Sequence, residues 1–270
     1  MSAAMESLIV HGLSSLRWAD GNTGDLGPDA RPLLGVRERV PARFDALPRG
    51  LRVFERAGGL AFSFEEAAIV AGAPSEAALD APALAAFEVA GVAGGKDASG
   101  RWSAFVPRRF KLELVRRAQL SVPLYRTPAS TPRHGGDATL IASCRAPDGR
   151  VVPWALFTLS VTVPPGGPRE FRAQADQHGD VMIAPQRLPP LPAGVAAYAA
   201  TLRVAAGAAL EPGAEPEPVN PDELAPARMR PLDSAGAAQE SLSFSITPGI
   251  VRRLVSAGQP APATALILEP

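Results

Sequence analysis

An alternation of apolar and polar residues, broken every few positions by proline and glycine, constrains this chain more than any other feature. In ALFTLSVTV, Ala155, Phe157, Leu159, Val161 and Val163 fall on one side. Thr158, Ser160 and Thr162 fall on the other, with Leu156 the exception. Tyr198, Ala200, Leu202 and Val204 alternate with Thr201 and Arg203, Phe171, Ala173 and Ala175 with Arg172 and Gln174, and Leu242, Phe244 and Ile246 with serines. A period of two is that of a strand with one face on a core and one in water. The clusters APDGR, VPPGGPR, DQHGD and LPPLPAG separate these runs. With 29 prolines and 25 glycines among 270 residues, little chain is left for long helices. The expected fold is mainly β, with antiparallel β-sandwich modules.

The first half repeats the pattern less cleanly, in VRERV, LRVFERA, RWSAFV and KLELV. Residues 75–86 (SEAALDAPALAA) are the best candidate for a short helix, with Ser75 as N-cap and Pro82 limiting its length. RTPASTPRHGGD, residues 126–137, reads as a boundary between modules. The expected organisation is an N-terminal segment at 1–35, a first sandwich at 36–126, a second at 137–206 plus 241–270, and a proline-rich arm at 207–240. EPGAEPEPVNPDELAPARMRPLD has few large apolar groups and cannot offset its ordering entropy alone. Two readings stand for it: a floppy insertion, or an arm that orders against a neighbour.

ADQHGDVMIAP, residues 175–185, gathers Asp176, His178 and Asp180 and so invites a chemical reading. A comparison answers it: Asp97 opens DASGRWSAFVP and Asp176 opens DQHGDVMIAP, each Asp-x-x-Gly before a strand-like run and a proline. Asp at the first turn position accepts backbone hydrogen bonds and Gly at the fourth relieves the turn sterically. The segment is therefore expected to be the turn of a β-hairpin, and its recurrence hints at two related modules.

Residues 137–206 also resemble a known family. PDGRVVPWALFTLSV, REFRAQADQHGDVMIAPQRLPPLP and AAYAATLRV look like a carboxypeptidase-regulatory-like (transthyretin-like, Ig-like) β-sandwich. Asp148, Gly149 and Arg150 match its first turn, with the proline displaced to Pro153, and Asp176 and Gly179 match its second. The resemblance implies a small non-catalytic scaffold or interaction module and brings no catalytic residues.

Other chemical readings find weak footing. His134, Asp137, His178 and Asp180 are the metal candidates, but nothing in their spacing makes them converge. DGNTGD at 20–25 places oxygens alternately as a calcium loop does, yet Asp25 stands where the loop needs glycine and Arg31 where it needs an acid. There is no G-x-S-x-G elbow, Walker loop or G-x-G-x-x-G, and GLSSL fails the first of these patterns. Cys144, the only cysteine, lies in an alternating run as a small core residue would. No enzymatic activity, cofactor or metal is expected.

Lys plus Arg equals Asp plus Glu at 27 each, so no basic surplus calls for nucleic acid. The run PRRFKLELVRR is locally basic through Arg108, Arg109, Lys111, Arg116 and Arg117. It reads as a solvated strand edge, with docking of an acidic partner as the functional alternative. The apolar run Leu8–Val10 is too short for a signal peptide, and no stretch reaches membrane-span length, so a cytoplasmic location is expected, with release inside a particle as a variant. The partners expected are other protein subunits, docked at sandwich edges and loops. The assembly favoured is a phage-tail-like contractile injection particle. The alternative is a ligand- or carbohydrate-binding sandwich with exposed aromatics, for which Trp18 is the surface candidate while Trp102 and Trp154 are expected in cores.

Overall fold

A computed structural model describes residues 7–22, 35–49, 51–69, 87–114, 119–133, 136–186, 188–259 and 264–269. Strand β1 (Ser7–Asp20) lies between β4 (Gly59–Ile69) and β7 (Gln119–Leu124), with β3 (Leu51–Arg56) at the far side of β4. Part of the segment set apart at 1–35 is thus an inner strand of the first sheet. A second sheet runs β2 (Ala42–Phe44), β5 (Phe87–Ala93), β6 (Arg108–Leu114). The two close on one core: Leu16, Trp18, Leu60 and Phe62 from the first, Val89, Phe110 and Leu114 from the second. Trp18 meets Phe110 edge-on at 5.9 Å between ring centres, and Phe44 meets Phe62 at 6.1 Å. Such edge-to-face pairs add about 0.5–1.5 kcal/mol beyond area burial. The helix expected at 75–86 lies outside the described residues.

The second half supplies β8 (Thr139–Arg145), β9 (Leu156–Val163), β10 (Gly167–Gln174), β11 (Asp180–Ile183), β12 (Tyr198–Ala206), β13 (Ala225–Met229), β14 (Ser241–Ile246), β15 (Val251–Arg253) and β16 (Leu266–Glu269). The pairing path is β10-β9-β12-β13-β16-β8-β11, with β14 also on β12 and β15 also on β8. Every apolar residue that the alternation placed inward on β9 and β12 is buried, from Phe157 to Val163 and from Tyr198 to Val204. The ends of the path, β10 and β11, are joined by a short connection. Laid flat, seven strands would separate them by about 29 Å. The connection from Gln174 to Asp180 can reach only about 20 Å. The sheet therefore curls back on itself and encloses a core drawn from residues 138–268.

Four expectations change. The Asp176 turn does not close a hairpin: β10 pairs with β9, and β11 pairs with β8. It is a corner that carries the chain from one layer to the other. The sheets are also not purely antiparallel, since β1 runs parallel to β7, and β15 and β16 run parallel to β8. Among the described residues the two halves differ in strand order, so the recurring turn is shared turn chemistry and not a shared topology. The proline-rich stretch at 207–240 orders on its own chain. Its strand β13 pairs with β12 through Ala225–Ala227 and with β16 through Arg228 and Met229. Ala227 and Met229 are buried in the core between them. The physical reason is that two inward side chains at a sheet corner suffice when neighbouring strands provide the rest of the surface.

Candidate functional site

Asp176 is held as the turn reading requires. Its Oδ1 accepts from the backbone N–H groups of His178 at 2.8 Å and Asp180 at 3.0 Å, and Gly179 takes φ of 75°. Asp97 does the same for Ser99 and Arg101, both at 2.9 Å, with Gly100 at φ 81°. Asp148 accepts from Arg150 N at 3.0 Å in a third turn of this kind. His178 is exposed and meets the Gln177 amide at 3.0 Å, while Asp180 accepts from the Ser143 hydroxyl. The constellation is therefore consumed by local backbone geometry. His134 lies outside the described residues. Among the described residues no three His, Cys, Asp or Glu side chains gather as a metal site needs. At the DGNTGD segment, Asp20 Oδ1 accepts from Asn22 N at 3.0 Å, an Asx-turn, and Asn22 Oδ1 accepts from Arg126 N at 3.0 Å. Residues 23–25 lie outside the described residues.

The turns differ in electrostatics. Burial pushes the Asp176 carboxyl up from its ordinary value, against the downward pull of its two N–H donors. The Asp97 carboxyl is held down, chiefly by the Ser99 hydroxyl and then the Arg101 N–H, and Asp148 by the Arg150 N–H and guanidinium. A carboxyl raised in the folded state favours folding most while protonated, so Asp176 withdraws stability as pH rises through the acid range. Asp97 and Asp148 act the other way: their contribution is present above the ordinary carboxylate pKa and is lost as pH falls through their lowered values. Asp176→Ala is expected to cost about 1–3 kcal/mol by orphaning two N–H groups. Asp176→Asn keeps an acceptor without the charge and should match or exceed the wild type at pH 7, an advantage that shrinks toward pH 3. Urea unfolding of both variants at the two pH values measures this.

The basic run separates into unlike parts. Arg109, Lys111 and Glu113 point out from β6, whereas Arg108 shares the inward parity of Phe110, Leu112 and Leu114. Arg108 is only 2% exposed. Its Nη1 donates to Pro123 O at 2.7 Å, and its Nη2 to Asn220 Oδ1 at 2.9 Å and Asp222 Oδ2 at 2.8 Å. Arg108 is thus an internal anchor and is not available for docking. The phase of RRFKLEL contains that signal: a charged residue in register with three apolar ones must be buried and paired. Arg109 faces Asp45 at 2.8 Å and Lys111 faces Glu88 at 2.9 Å, the latter pair raising the lysine pKa through its hydrogen bond first. Arg116 and Arg117 lie outside the described residues.

The aromatic residues also redistribute. Trp18 and Trp154 are buried, Trp154 with φ of 60°. Trp102 is 48% exposed, contrary to its expected place in a core. It follows the Asp97–Gly100 turn, bridges Lys96, and carries the Lys96 ammonium 4.9 Å from its ring centre. The alternation in RWSAFV misleads because this segment is a turn flank with isolated bridges and no ladder. Cys144 is fully buried, and burial pushes its thiol far above the ordinary value, leaving it inert.

Two surface features remain. Strand β3 pairs with β4 over its whole length, and among the described residues no strand pairs with its other side. It carries Phe54, 53% exposed, between Val53 and Glu55. A polar cleft of about 370 Å³ opens between β13, β16 and the loops at 235–238 and 257–258. Arg228, Arg230 and Glu269 line it, and Arg230 Nε is paired with Glu269 at 2.9 Å.

The class defined by this fold is that of mainly-β sandwich proteins. No family model matches the chain, and no curated protein matches it. Among solved structures the chain is similar to the "Structure of the Streptococcal ancillary pilin", at 10% identity and a TM-score of 0.21, covering 96% of this chain and 62% of that one. The chain thus spans less than two thirds of the pilin chain. Among the described residues no helix is long and apolar enough to cross a membrane.

Proposed function

We propose that this chain is a non-catalytic structural or adaptor subunit that docks through a sandwich edge in a larger assembly. The observation that carries the reading is β3, an edge strand among the described residues and regular along its whole length, with Phe54 half exposed on it. Such an edge offers main-chain groups for strand addition and a side chain for specificity. Charged neighbours Arg52, Glu55 and Arg56 keep it from pairing indiscriminately. The resemblance of residues 137–206 to carboxypeptidase-regulatory-like sandwiches supports the same reading, since those modules serve as scaffolds. A phage-tail-like contractile particle, built in the cytoplasm, is the assembly this proposal favours, by analogy of fold.

The test is sedimentation of the tagged chain from a gentle lysate of its own host, beside a Val53→Pro/Phe54→Glu variant. Migration of the wild type in a megadalton fraction of one repeating particle, with the variant left near its own mass, is the expected result. Wild type that sediments at its own mass overturns the proposal. Trp102 favours a second reading, a ligand- or carbohydrate-binding module. Titration of soluble glycans against tryptophan fluorescence tests it. A saturable change abolished by Trp102→Ala supports it, and no change across the series removes it.

A further inference from the structure

The proline-rich stretch is bonded to both halves of the molecule within a few residues. Val219 O accepts from the Arg109 N–H of β6 at 2.8 Å. Asn220 and Asp222 take both bonds of Arg108 Nη2. Asn220 at the same time caps the 3-10 turn Pro221–Glu223, whose Asp222 N–H reaches its Oδ1 at 3.3 Å, and donates its Nδ2 to Glu223 at 2.8 Å. Pro221 is buried. The chain leaves this turn through Leu224 directly into β13, a strand of the second sandwich whose Ala227 and Met229 lie in that core. Upstream, Leu210 N–H donates to Val151 O at 2.7 Å, so the stretch is tied to the second sandwich on both sides of its contact with β6.

We infer that residues 219–229 are a splint that fixes the two sandwiches at one mutual orientation, with Arg108 as the residue it clamps. The connection at 125–137 alone would leave a hinge, because domains joined by one short linker move by default. A second attachment removes that freedom when both its ends are rigid. Here one end is a strand in a sheet, and the other is a planar guanidinium whose donors are already aligned by the Pro123 carbonyl. Tyr125, fully buried at the start of the linker, interacts electrostatically with Arg108 and Asp222 and also with Arg172 of β10. That places the clamp at the junction of the halves. A burial this deep for one guanidinium is costly unless paired, so losing Asn220 and Asp222 leaves an uncompensated charge at the junction.

The experiment compares the wild type with Asn220→Ala/Asp222→Ala, which alters only the splint side of the clamp. Three readouts are taken: trypsin cleavage after the exposed Arg133, the maximum dimension from small-angle scattering, and the number of thermal transitions. The expected result is one transition and slow cleavage in the wild type. The variant should show at least tenfold faster cleavage, a larger maximum dimension and two separated transitions, with strand content unchanged by circular dichroism. If the variant loses its strand signal, Arg108→Met, which keeps an apolar stem in the buried position, is carried through the same readouts. A folded variant with wild-type cleavage, dimension and a single transition overturns the splint, as does a wild type that already unfolds in two steps.

Discussion

Trp18→Ala is expected to destabilise the first sandwich by about 3–5 kcal/mol, the range for deleting a large buried aromatic. Trp18 is fully buried and lies edge-on to Phe110, which in turn meets Phe44 at 6.0 Å, so three rings lean on one another between the two sheets. Among the described residues its Nε1 has no hydrogen-bond partner, so the loss is packing and apolar burial. Since whole domains are stable by only about 5–15 kcal/mol, such a loss leaves this one close to unfolding at 37 °C. Trp18→Phe should recover part of it, because a smaller ring keeps an edge contact. Urea unfolding with Trp18→Ala and Trp18→Phe measures both. A cost under about 1 kcal/mol is what an exposed residue gives and would remove Trp18 from the core. The experiment also separates the tryptophans: a ligand that perturbs Trp102 should do so equally in Trp18→Phe.

Met229→Ala should cost the second sandwich about 2–5 kcal/mol, although Met229 lies in the proline-rich stretch at 207–240. Its side chain is fully buried, and its backbone pairs with β16 and with Gln239, whose N–H reaches Met229 O at 2.8 Å. Glu215→Ala, in the exposed limb of the same stretch, should stay within about 0.5 kcal/mol of the wild type. The contrast is the informative measurement. Equal, small effects at both positions would mean that the stretch is a dispensable appendage. A large effect at Met229 alone means that β13 is an integral strand, without which the sheet path between β12 and β16 is interrupted.

How much of this was legible without the structure follows the range of the forces involved. The strands at 156–163, 198–206 and 241–246 were legible because period-two burial is written into consecutive residues. The Asp97 and Asp176 turns were legible because a carboxylate capping its own backbone, followed by a glycine at positive φ, is complete within five residues. The helix expected at 75–86 and the cations Arg116 and Arg117 lie outside the described residues. Strand β13 was not legible: its inward residues number only two, and its neighbours β12 and β16 stand far away in the chain. Trp102 was misplaced because a two-residue alternation cannot distinguish a ladder strand from the flank of a turn.

Arg108 shows the division most clearly. Its parity with Phe110, Leu112 and Leu114 already required that it point inward. What would receive its charge was set only when the chain brought Asn220 and Asp222 alongside, over a sequence separation that no local pattern spans. Alternation, turn chemistry and the absence of a charge surplus belong to the sequence by itself, because each is settled between neighbours in the chain. Strand partners, the curl of the large sheet in the second half, the side of β3 that has no partner among the described residues, and the clamp on Arg108 were decided by the tertiary structure. Those depend on which distant surfaces must be removed from water together, and loop closure makes that a property of the whole chain.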